Sequence, residues 1–419
     1  MSKQMEDMRA IIDDAIRAVL PEAAVREALS KPAFTERKGK GRIVVASIGK
    51  AGWRMAKAAV DILGSGVTGA VVTKYGHSMG ELPGLEIYEA GHPVLDENTL
   101  KGTNALLEHV KGLTPDDTVL FLVSGGGSAL FELPVDGVSL ADMQDITSQL
   151  LACGADIVEM NTIRKHLSSV KGGRFAQKCN PAHVYMVVLS DVLGDRLDSI
   201  ASGPAAPDKS TSAEALAIVK KYGLKVKPFL MEVLSRETPK ELNNVTAEIT
   251  GSVTELCRAA SELASSRGYR PLILTTTLTC EAREAGSFLA GVVREVKTSG
   301  SPLSSPCAII AGGETVVHLT GKGLGGRNQE LALSASAGIA GLEGVVLASL
   351  GSDGTDGPTD AAGGIVDGET ASKLEAAGIS ISEVLKANDA YNALKAVDGL
   401  LMTGPTGTNV NDVAIALIA

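Results

Sequence analysis

The chain has 419 residues, 44% of them apolar, so it is long enough for two domains with substantial cores and is not composed like a disordered protein. A net charge of −10, with no run of five basic residues, argues against nucleic acid or an acidic membrane surface as a partner. Five widely spaced cysteines and the absence of an apolar leader exclude a zinc or disulfide framework and predict a cytoplasmic location.

The N-terminal segment predicts helices, and strands begin after residue 40. Residues 7–30 have apolar positions at helical spacing, interrupted by Pro21, and predict an amphipathic helix pair. Short β-branched runs then alternate with helical patterns, and each run ends in a Gly-rich or acidic turn. The runs are IVVASIG at 43–49, GAVVTK at 69–74, VLFLVSGGG at 119–127 and VYMVVLSD at 184–191. This alternation predicts a parallel sheet with right-handed crossovers.

A second series of apolar runs follows a polar stretch at 235–250, which is the candidate linker. These runs are LILTTTL at 272–278, CAIIAGGE at 307–314, TVVHLT at 315–320, VVLASLGSDG at 345–354, and LLMTG and VAIALIA near the C-terminus. We therefore predict an α/β protein with two domains, residues 1–240 and a smaller domain of residues 241–419. The active site is expected in the cleft between them.

Lys50 follows the first predicted strand at the predicted start of a helix. Ligands of open parallel sheets bind beyond the carboxyl ends of the strands. A helix N-terminus carries positive potential, and a lysine there favours a phosphate or carboxylate. On position alone, a solvated lysine on a turn is an equally good interpretation.

The third strand run ends in a turn with three consecutive glycines. Such a turn lets backbone N–H groups point inward as an anion-binding nest, although a tight turn alone would need fewer glycines. The flanking serines favour ligand binding. This turn consists of Ser124, Gly125, Gly126, Gly127 and Ser128. A Walker A pattern occurs nowhere in the chain, so any nucleotide is held in another way.

Asp191 ends the fourth run, where a carboxylate is either a cap or a catalytic group. Upstream, four cations fall within eleven residues on a helix and its Gly-Gly end. They interact favourably with the helix terminus, and they are also candidates to hold the carboxylate of a small acid. These cations are Arg164, Lys165, Lys171 and Arg174.

Residues 321–326 match the pattern GxGxxG, and Asp353 ends the next strand, which together resemble a dinucleotide fingerprint. The pattern is common by chance, however, and Lys322 and Arg327 place two cations in and beside the turn. Cations around a Gly-rich loop suit a transferring phosphoryl group better than a pyrophosphate on a helix dipole.

The loop SLGSDGTDGPTDAAGG carries Asp353, Asp356 and Asp360 after a strand. Magnesium takes one or two carboxylates together with phosphate oxygens and water, and this loop can supply them, although Asx-turns also enrich aspartate. Further along, Thr406, Gly407, Thr408, Asn409 and Asp412 lie between two apolar runs. That segment is either a nucleotide or substrate loop, or a hairpin.

Taken together, these motifs resemble the glycerate 2-kinase family whose C-terminal half is the MOFRL domain. The resemblance runs in the family's order from about residue 40 to the end, and nine stretches in sequence make it specific. They are IGKAGWRMA, AGHPVLDENTLKG, LVSGGGSALF, NTIRKHLSSVKGGRFA, VVLSDVLGD, IASGP, AGGETVVHLTGKGLGGRNQELAL, GSDGTDGPTDAAGG and TGPTGTNVNDV.

The resemblance implies phosphorylation of D-glycerate by ATP with Mg²⁺, usually at the 2-hydroxyl, and a Rossmann-like N-terminal domain. The family's suspected catalytic cations fall on Lys50 and Arg327, and its LSD aspartate on Asp191. We expect Asp353 or Asp356 to hold the metal. The candidate nucleotide- and substrate-binding residues are Ser124, Gly125, Gly126, Gly127, Ser128, Glu314, Lys322, Gly325 and Asn409.

Two other functions compete with the kinase. An NAD(P)H-dependent hydroxypyruvate reductase is supported by the literal fingerprint at 321–326 and by a related substrate. A non-enzymatic binding protein for a small acid would have no need of an acidic loop beside a cationic Gly-rich turn. In every case the expected partner is a small molecule, and the chain is expected to be a monomer or a homodimer.

Overall fold

The computed structural model describes residues 2–38, 40–190, 192, 194 and 196–419. The helices are α1 Lys3–Ala18, α2 Pro21–Ser30, α3 Pro32–Thr35, α4 Gly52–Leu63, α5 Glu97–His109, α6 Gly127–Leu130, α7 Leu140–Ala152, α8 Ile157–Leu167, α9 Arg174–Cys179, α10 Ser212–Tyr222, α11 Pro228–Leu234, α12 Val253–Ser266, α13 Ala282–Ser299, α14 Arg327–Gly338, α15 Thr370–Ala376, α16 Ile381–Ala387 and α17 Ala390–Lys395. The strands are β1 Ile43–Ile48, β2 Thr68–Lys74, β3 Leu85–Ala90, β4 Thr118–Val123, β5 His183–Leu189, β6 Val245–Gly251, β7 Arg270–Leu278, β8 Cys307–Gly313, β9 Val345–Gly351, β10 Gly363–Asp367, β11 Leu400–Leu401 and β12 Asp412–Ile418.

Contacts divide the chain into two units, and the first comprises residues 24–250. Its sheet has the order β3-β2-β1-β4-β5-β6, and the neighbours from β3 to β5 are parallel. The four strand runs predicted for this part are β1, β2, β4 and β5, so those predictions are confirmed. The chain leaves β1 towards one edge of the sheet and β4 towards the other, which is the doubly wound order.

Two apolar clusters stabilise this unit. One face of the sheet packs Phe121 against Phe131 and Phe175, whose ring centroids lie 5.9 and 4.6 Å from that of Phe121. A separate cluster joins α7, α8, α10 and α11. Three of those four helices begin with reciprocal side-chain caps, because a Ser, Thr or Asp precedes an acidic third residue. The unit thus combines a sheet core with a helical satellite.

The second unit comprises residues 1–23 and 251–419 and contains a mixed sheet. Its order is β11-β10-β9-β12-β8-β7, with β7 and β8 parallel and the remaining neighbours antiparallel. The last strand, β12, lies between β8 and β9 and is buried along its whole length. Helices α13 and α14 share a core with this sheet, so an α/β second domain is confirmed.

Helix α1 packs with the second unit, although it comes first in the chain. Its apolar face contacts α12, β9 and β12, and Arg267 and Tyr269 bond to Asp14 and Asp7 on it. The predicted division into residues 1–240 and 241–419 therefore differs from the contact units at residues 1–23 and 241–250. An amphipathic helix must bury one face, and here the sheet that receives it is formed by distant residues.

Two sequence-based predictions of this region need correction. Residues 315–320 are irregular rather than a strand, because the backbone N–H groups of Thr320 and Gly321 bond to the Asn388 side chain instead of to a neighbouring strand. The candidate linker at 235–250 ends in β6, whose residues Val245, Ala247 and Ile249 pack on the sheet core. The sequence analysis did not predict this strand, although its apolar residues alternate with threonine and glutamate.

Candidate active site

The turns after β1 and β4 are bonded to each other at the carboxyl edge of the first sheet. The Lys50 N–H donates to Gly125 O at 2.8 Å. The Ser124 hydroxyl donates to Ile48 O at 3.2 Å and accepts from the Ala51 N–H at 3.0 Å. Ser124 is buried, so its hydroxyl serves to lock the two turns together. This edge is the switch point at which doubly wound sheets bind ligands.

Gly126 lies against two cationic or titratable side chains. It has φ +83°, a conformation that glycine adopts without strain. A Cβ atom at this position would lie 3.0 Å from Cδ2 and Nε2 of His92 and 3.3 Å from Cγ of Lys50. The imidazole and the lysine stem therefore border the glycine turn. The structure thus brings Lys50 and the predicted nest together.

Ser128 begins a chain of polar side chains beside this turn. Its hydroxyl lies 3.1 Å from that of Ser202, which in turn lies 3.1 Å from Asn161 Oδ1. Ala201 and Ser202 both have positive φ, 50° and 61°, which is unfavourable for residues with a Cβ atom. Such strain clusters at functional sites, and Ala201 packs directly on Gly127.

Lys171, one of the four upstream cations, is fully buried behind Ser128. Its Nζ lies 2.8 Å from Glu132 Oε2 and donates to the carbonyls of Ser128 and Phe131 at 2.8 Å each. Burial lowers the pKa of Lys171, and the Glu132 carboxylate opposes that shift. The lysine therefore holds the segment that follows the glycine turn.

The other three cations of that segment are also engaged or partly buried. Lys165 pairs with Asp208 at 3.1 Å, and the Arg174 guanidinium donates to the carbonyls of Lys165 and Ser168. Arg164 is half-buried, and its pKa is lowered by burial, with Glu132 opposing the shift. The basic segment thus stabilises the fold around the turn.

The predicted catalytic Asp191 lies outside the described residues, so its role stays a prediction. It follows β5, which ends at Leu189 beside β4. The preceding Ser190 is buried and accepts from the Val192 N–H at 3.0 Å.

Arg327 is the first residue of α14 and is held by two carboxylates. Its Nε and Nη2 donate to Oδ2 and Oδ1 of Asp412 at 2.5 and 3.1 Å, and its Nη1 lies 3.1 Å from Glu314 Oε1. Burial alone lowers the pKa of Arg327, but the Asp412 bonds outweigh it, so the pKa lies above its ordinary value. The guanidinium is a permanent cation with a fixed orientation.

Asp356 caps the same helix. Its Oδ1 accepts from the Asn328 N–H at 3.2 Å and its Oδ2 from the Gln329 N–H at 2.8 Å. A Cβ atom at Gly326 would collide with this carboxylate, so a glycine is required there. Burial raises the pKa of Asp356 to about 6, although the helix N–H groups oppose the shift. Each carboxylate oxygen accepts one backbone N–H of the helix, and the predicted metal role of Asp356 stays a prediction.

Asp353, the other predicted metal ligand, closes an Asx-turn. Its Oδ1 accepts from the N–H and the hydroxyl of Thr355 at 3.0 and 3.1 Å. The side chain is partly exposed, so one carboxylate oxygen can face a ligand. Within the described ranges, no group of three or more His, Cys, Asp or Glu side chains is arranged around a common point.

The glycine-rich segment 315–326 is anchored by Asn388. The Asn388 Oδ1 accepts from the N–H groups of Thr320 and Gly321 at 2.8 Å each, and its Nδ2 donates to His318 O and Glu330 Oε2 at 3.1 and 3.2 Å. The segment thus has a defined shape without being a strand. A dinucleotide fingerprint requires a strand directly before the glycines, which this segment lacks.

The remaining predicted binding residues lie on or near this segment or near Asp353. Lys322 is exposed, and Gly325 packs near Ala390. Asn409 is partly buried, and its Oδ1 accepts from the Asn411 N–H at 3.3 Å. Their predicted contacts with nucleotide stay predictions.

Sequence reasoning missed three residues of these groups. His92 lies in the AGHPVLD stretch and Asp412 in the loop before the last apolar run. No local pattern indicates the contacts that either residue makes. Asn388 has no signal in the sequence, because its side-chain bonds reach residues 58–70 positions away.

Comparisons with known proteins cover nearly the whole chain. Residues 7–235 match a family model described as a domain of unknown function, DUF4147, and residues 307–412 match the MOFRL family. A D-glycerate 2-kinase of Thermotoga maritima is 57% identical over 97% of each chain. A relative from Agrobacterium vitis, 41% identical over 98% of this chain and 94% of its own, has a provisional name of hydroxypyruvate reductase.

A solved structure has the same fold. The crystal structure of a glycerate kinase from Thermotoga maritima superposes with a TM-score of 0.94 and 56% identity, covering 99% of each chain. Among the described residues, no helix combines the length and apolar character needed to cross a membrane.

Proposed function

This chain belongs to the glycerate kinase family, and we propose that it transfers the γ-phosphoryl group of ATP to the 2-hydroxyl of D-glycerate, forming 2-phosphoglycerate. The substrate is inferred from the 57% identical relative, which is named a D-glycerate 2-kinase. The reaction is supported by one observation in particular: Lys50 borders the glycine turn at the switch point of a doubly wound sheet.

Phosphoryl transfer needs alignment and charge stabilisation rather than covalent participation of the protein. We assign Lys50 and Arg327 to neutralise charge that develops on the phosphoryl oxygens. Arg327 suits this role because Asp412 orients it, while further N–H groups on Nη1 and Nη2 remain for a ligand. Asp191 is proposed to orient or deprotonate the acceptor hydroxyl.

Anionic oxygens need a second set of contacts besides the two cations. We propose that the backbone of the Gly125–Gly127 turn receives a phosphate or the substrate carboxylate, with Ser128 beside it. The nucleotide is assigned to the segment carrying Lys322 and Gly325, with Glu314 and Asn409. The adenine contacts are not assigned.

Magnesium is proposed as the cofactor, with Asp353 as its protein ligand. The partly exposed Asp353 is favoured over Asp356, because Asp356 is buried and each of its carboxylate oxygens already accepts a helix N–H. A bound Mg²⁺ would screen the charge of the β- and γ-phosphates. Asp353 would hold the ion through its carboxylate.

The proposed setting is the cytoplasm, with the chain acting as a monomer or a homodimer. All five cysteines are free thiols, which suits a reducing compartment where ATP is available.

A coupled ADP-release assay tests the function. Purified protein with ATP, Mg²⁺ and D-glycerate should release ADP at about 1–100 per second, as kinases do. Phosphorus NMR of the product should show the phosphate on the 2-oxygen. L-glycerate and lactate serve as control acceptors that test the selectivity for D-glycerate. No glycerate-dependent ADP release would reject the kinase.

The second candidate, hydroxypyruvate reductase, is favoured by the provisional name of the Agrobacterium relative. It is opposed by the irregular backbone at 315–320, where a dinucleotide fingerprint needs a strand. Incubation with NADH or NADPH and hydroxypyruvate distinguishes the two, since cofactor oxidation at a rate like that of the kinase assay would favour the reductase.

A further inference from the structure

His92 has a position that the proposed catalytic groups do not explain. It follows β3, the edge strand next to β2, and its ring reaches the turn after β4. The edge bearing Cδ2 and Nε2 faces Gly126, where a Cβ atom would lie 3.0 Å from both atoms. The Lys50 side chain packs against the same glycine, with its Cγ 3.3 Å from the position of that Cβ atom. The ring is therefore a neighbour of the two best-supported elements of the site.

The imidazole of His92 has no hydrogen-bond partner among the described residues, unlike most other histidines of the chain. Nδ1 of His77 bonds to Lys50 O and Nδ1 of His166 to Thr162 O, while Nε2 of His109 bonds to Glu86 and Nε2 of His183 to Thr246. The ring is half-buried and its nitrogens are not fully enclosed, so they are accessible to a ligand at the glycine turn.

The surroundings of His92 favour an anion. Burial lowers the pKa of His92, and the neighbouring ammonium groups of Lys50 and Lys74 lower it further. The imidazole is consequently uncharged at neutral pH, with one N–H to donate. The positive charges next to it contrast with a net charge of −10 for the chain and attract small anions locally.

We propose that His92 is a further substrate-binding residue, whose Nε2–H donates to an anionic oxygen held at the Gly125–Gly127 turn beside Lys50. The oxygen belongs either to the carboxylate of the hydroxy acid or to a phosphate of ATP. This inference rests on the proposed function for the identity of the anion. It adds an imidazole donor to the cations, backbone and Ser128 hydroxyl of the proposed site.

Steady-state kinetics with matched variants test the proposal. His92→Ala should raise KM for the bound anion roughly ten- to a hundredfold, the effect of losing a hydrogen bond to a charged group. His92→Gln, which places an amide N–H near the position of Nε2, should recover most of that loss. His109→Gln is the control histidine. A rise confined to D-glycerate assigns the carboxylate, and a rise confined to ATP assigns the phosphate.

A direct binding measurement makes the proposal independent of turnover. The Cε1–H signal of His92, identified by its absence from the His92→Gln spectrum, should shift when D-glycerate or ATP is added, and its pKa should rise because the anion favours the protonated ring. The proposal is overturned if neither ligand moves this signal, or if the folded His92→Ala protein keeps both KM values. Failure of the wild-type protein to release ADP would instead reject the proposed kinase and leave the binding experiment informative.

Discussion

The pairing of Arg327 with Asp412 fixes the orientation of a side chain to which we assign a catalytic role. The two residues are 85 positions apart, and the aspartate is largely buried at the start of β12. Removing the arginine leaves a buried carboxylate without its partner, which costs about 3–5 kcal/mol when such a pair is broken. Loss of stability alone therefore does not test the proposed catalytic role of Arg327.

We expect Arg327→Ala to lower kcat on the order of 10³-fold, because a cation that stabilises the transferring phosphoryl group is lost. The double variant Arg327→Ala with Asp412→Asn should recover much of the melting temperature, since no unpaired charge remains. Its kcat should stay low. Steady-state kinetics and thermal melting measure both effects. Recovery of kcat in the double variant to within about tenfold of wild type would show that the arginine acts only structurally.

At the scale of elements, turns between strands and helices carry the proposed chemistry, and each is held by a bond to a distant part of the chain. The turn after β1 is bonded to the turn after β4, and the segment 315–326 is bonded to Asn388 at the end of α16. Asn388 itself has φ +54°, and its side chain bonds to residues on both sides of the turn at Thr320 and to Glu330. The segment 315–326, which lacks regular structure, is thus held in a defined conformation where it leads into Arg327.

Asn388→Ala should release this loop. Hydrogen exchange at the amides of Thr320 and Gly321 should accelerate, and unfolding free energy should fall by about 1–3 kcal/mol, the cost of unsatisfied buried groups. Asn388→Gly is the matched control because it tolerates the positive φ but lacks the side chain. Equal exchange in both variants attributes the effect to the lost bonds. Unchanged protection of both amides in the alanine variant would contradict the anchoring role.

At the scale of the whole molecule, one titratable group in each unit is shifted so that acid affects the two units in opposite directions. In the unit of residues 24–250, burial lowers the pKa of His183 from 6.5 to about 4. Between pH 6.5 and 4, His183 is protonated in the unfolded chain but not in the folded unit. This unit therefore loses stability as pH falls through that range. In the other unit, burial raises the pKa of Asp356 from 3.8 to about 6, so protonation between pH 6 and 3.8 favours the folded state.

Acidification from pH 7 to 4 should therefore destabilise the 24–250 unit first. The single tryptophan, Trp53, is buried in that unit and reports on it alone, whereas far-UV circular dichroism reports on both. The melting midpoint from Trp53 fluorescence should fall below that from circular dichroism at pH 4. His183→Gln should reduce the difference. Coincident midpoints at pH 4 would be evidence against this separation.

The sequence by itself predicted much of the first sheet and the residues next to its strand ends. Runs of β-branched residues and glycine turns are local signals. The predicted bounds of β1 and β4 therefore agree with the observed ones within a few residues, and Lys50 and Gly125–Gly127 lie in the turns after them, as predicted. The edge strands β3 and β6 were missed because polar residues interrupt their apolar patterns.

Only the tertiary structure decided which distant residues meet. The insertion of β12 between β8 and β9 brings Asp412 to Arg327, and the return of the chain after β3 brings His92 to Gly126. The tertiary structure also places Asp356 at the N-terminus of α14 as a cap and packs α1 on the second unit. Local patterns encode turns and periodicity, whereas strand order and side-chain pairing depend on how apolar faces far apart in sequence bury one another.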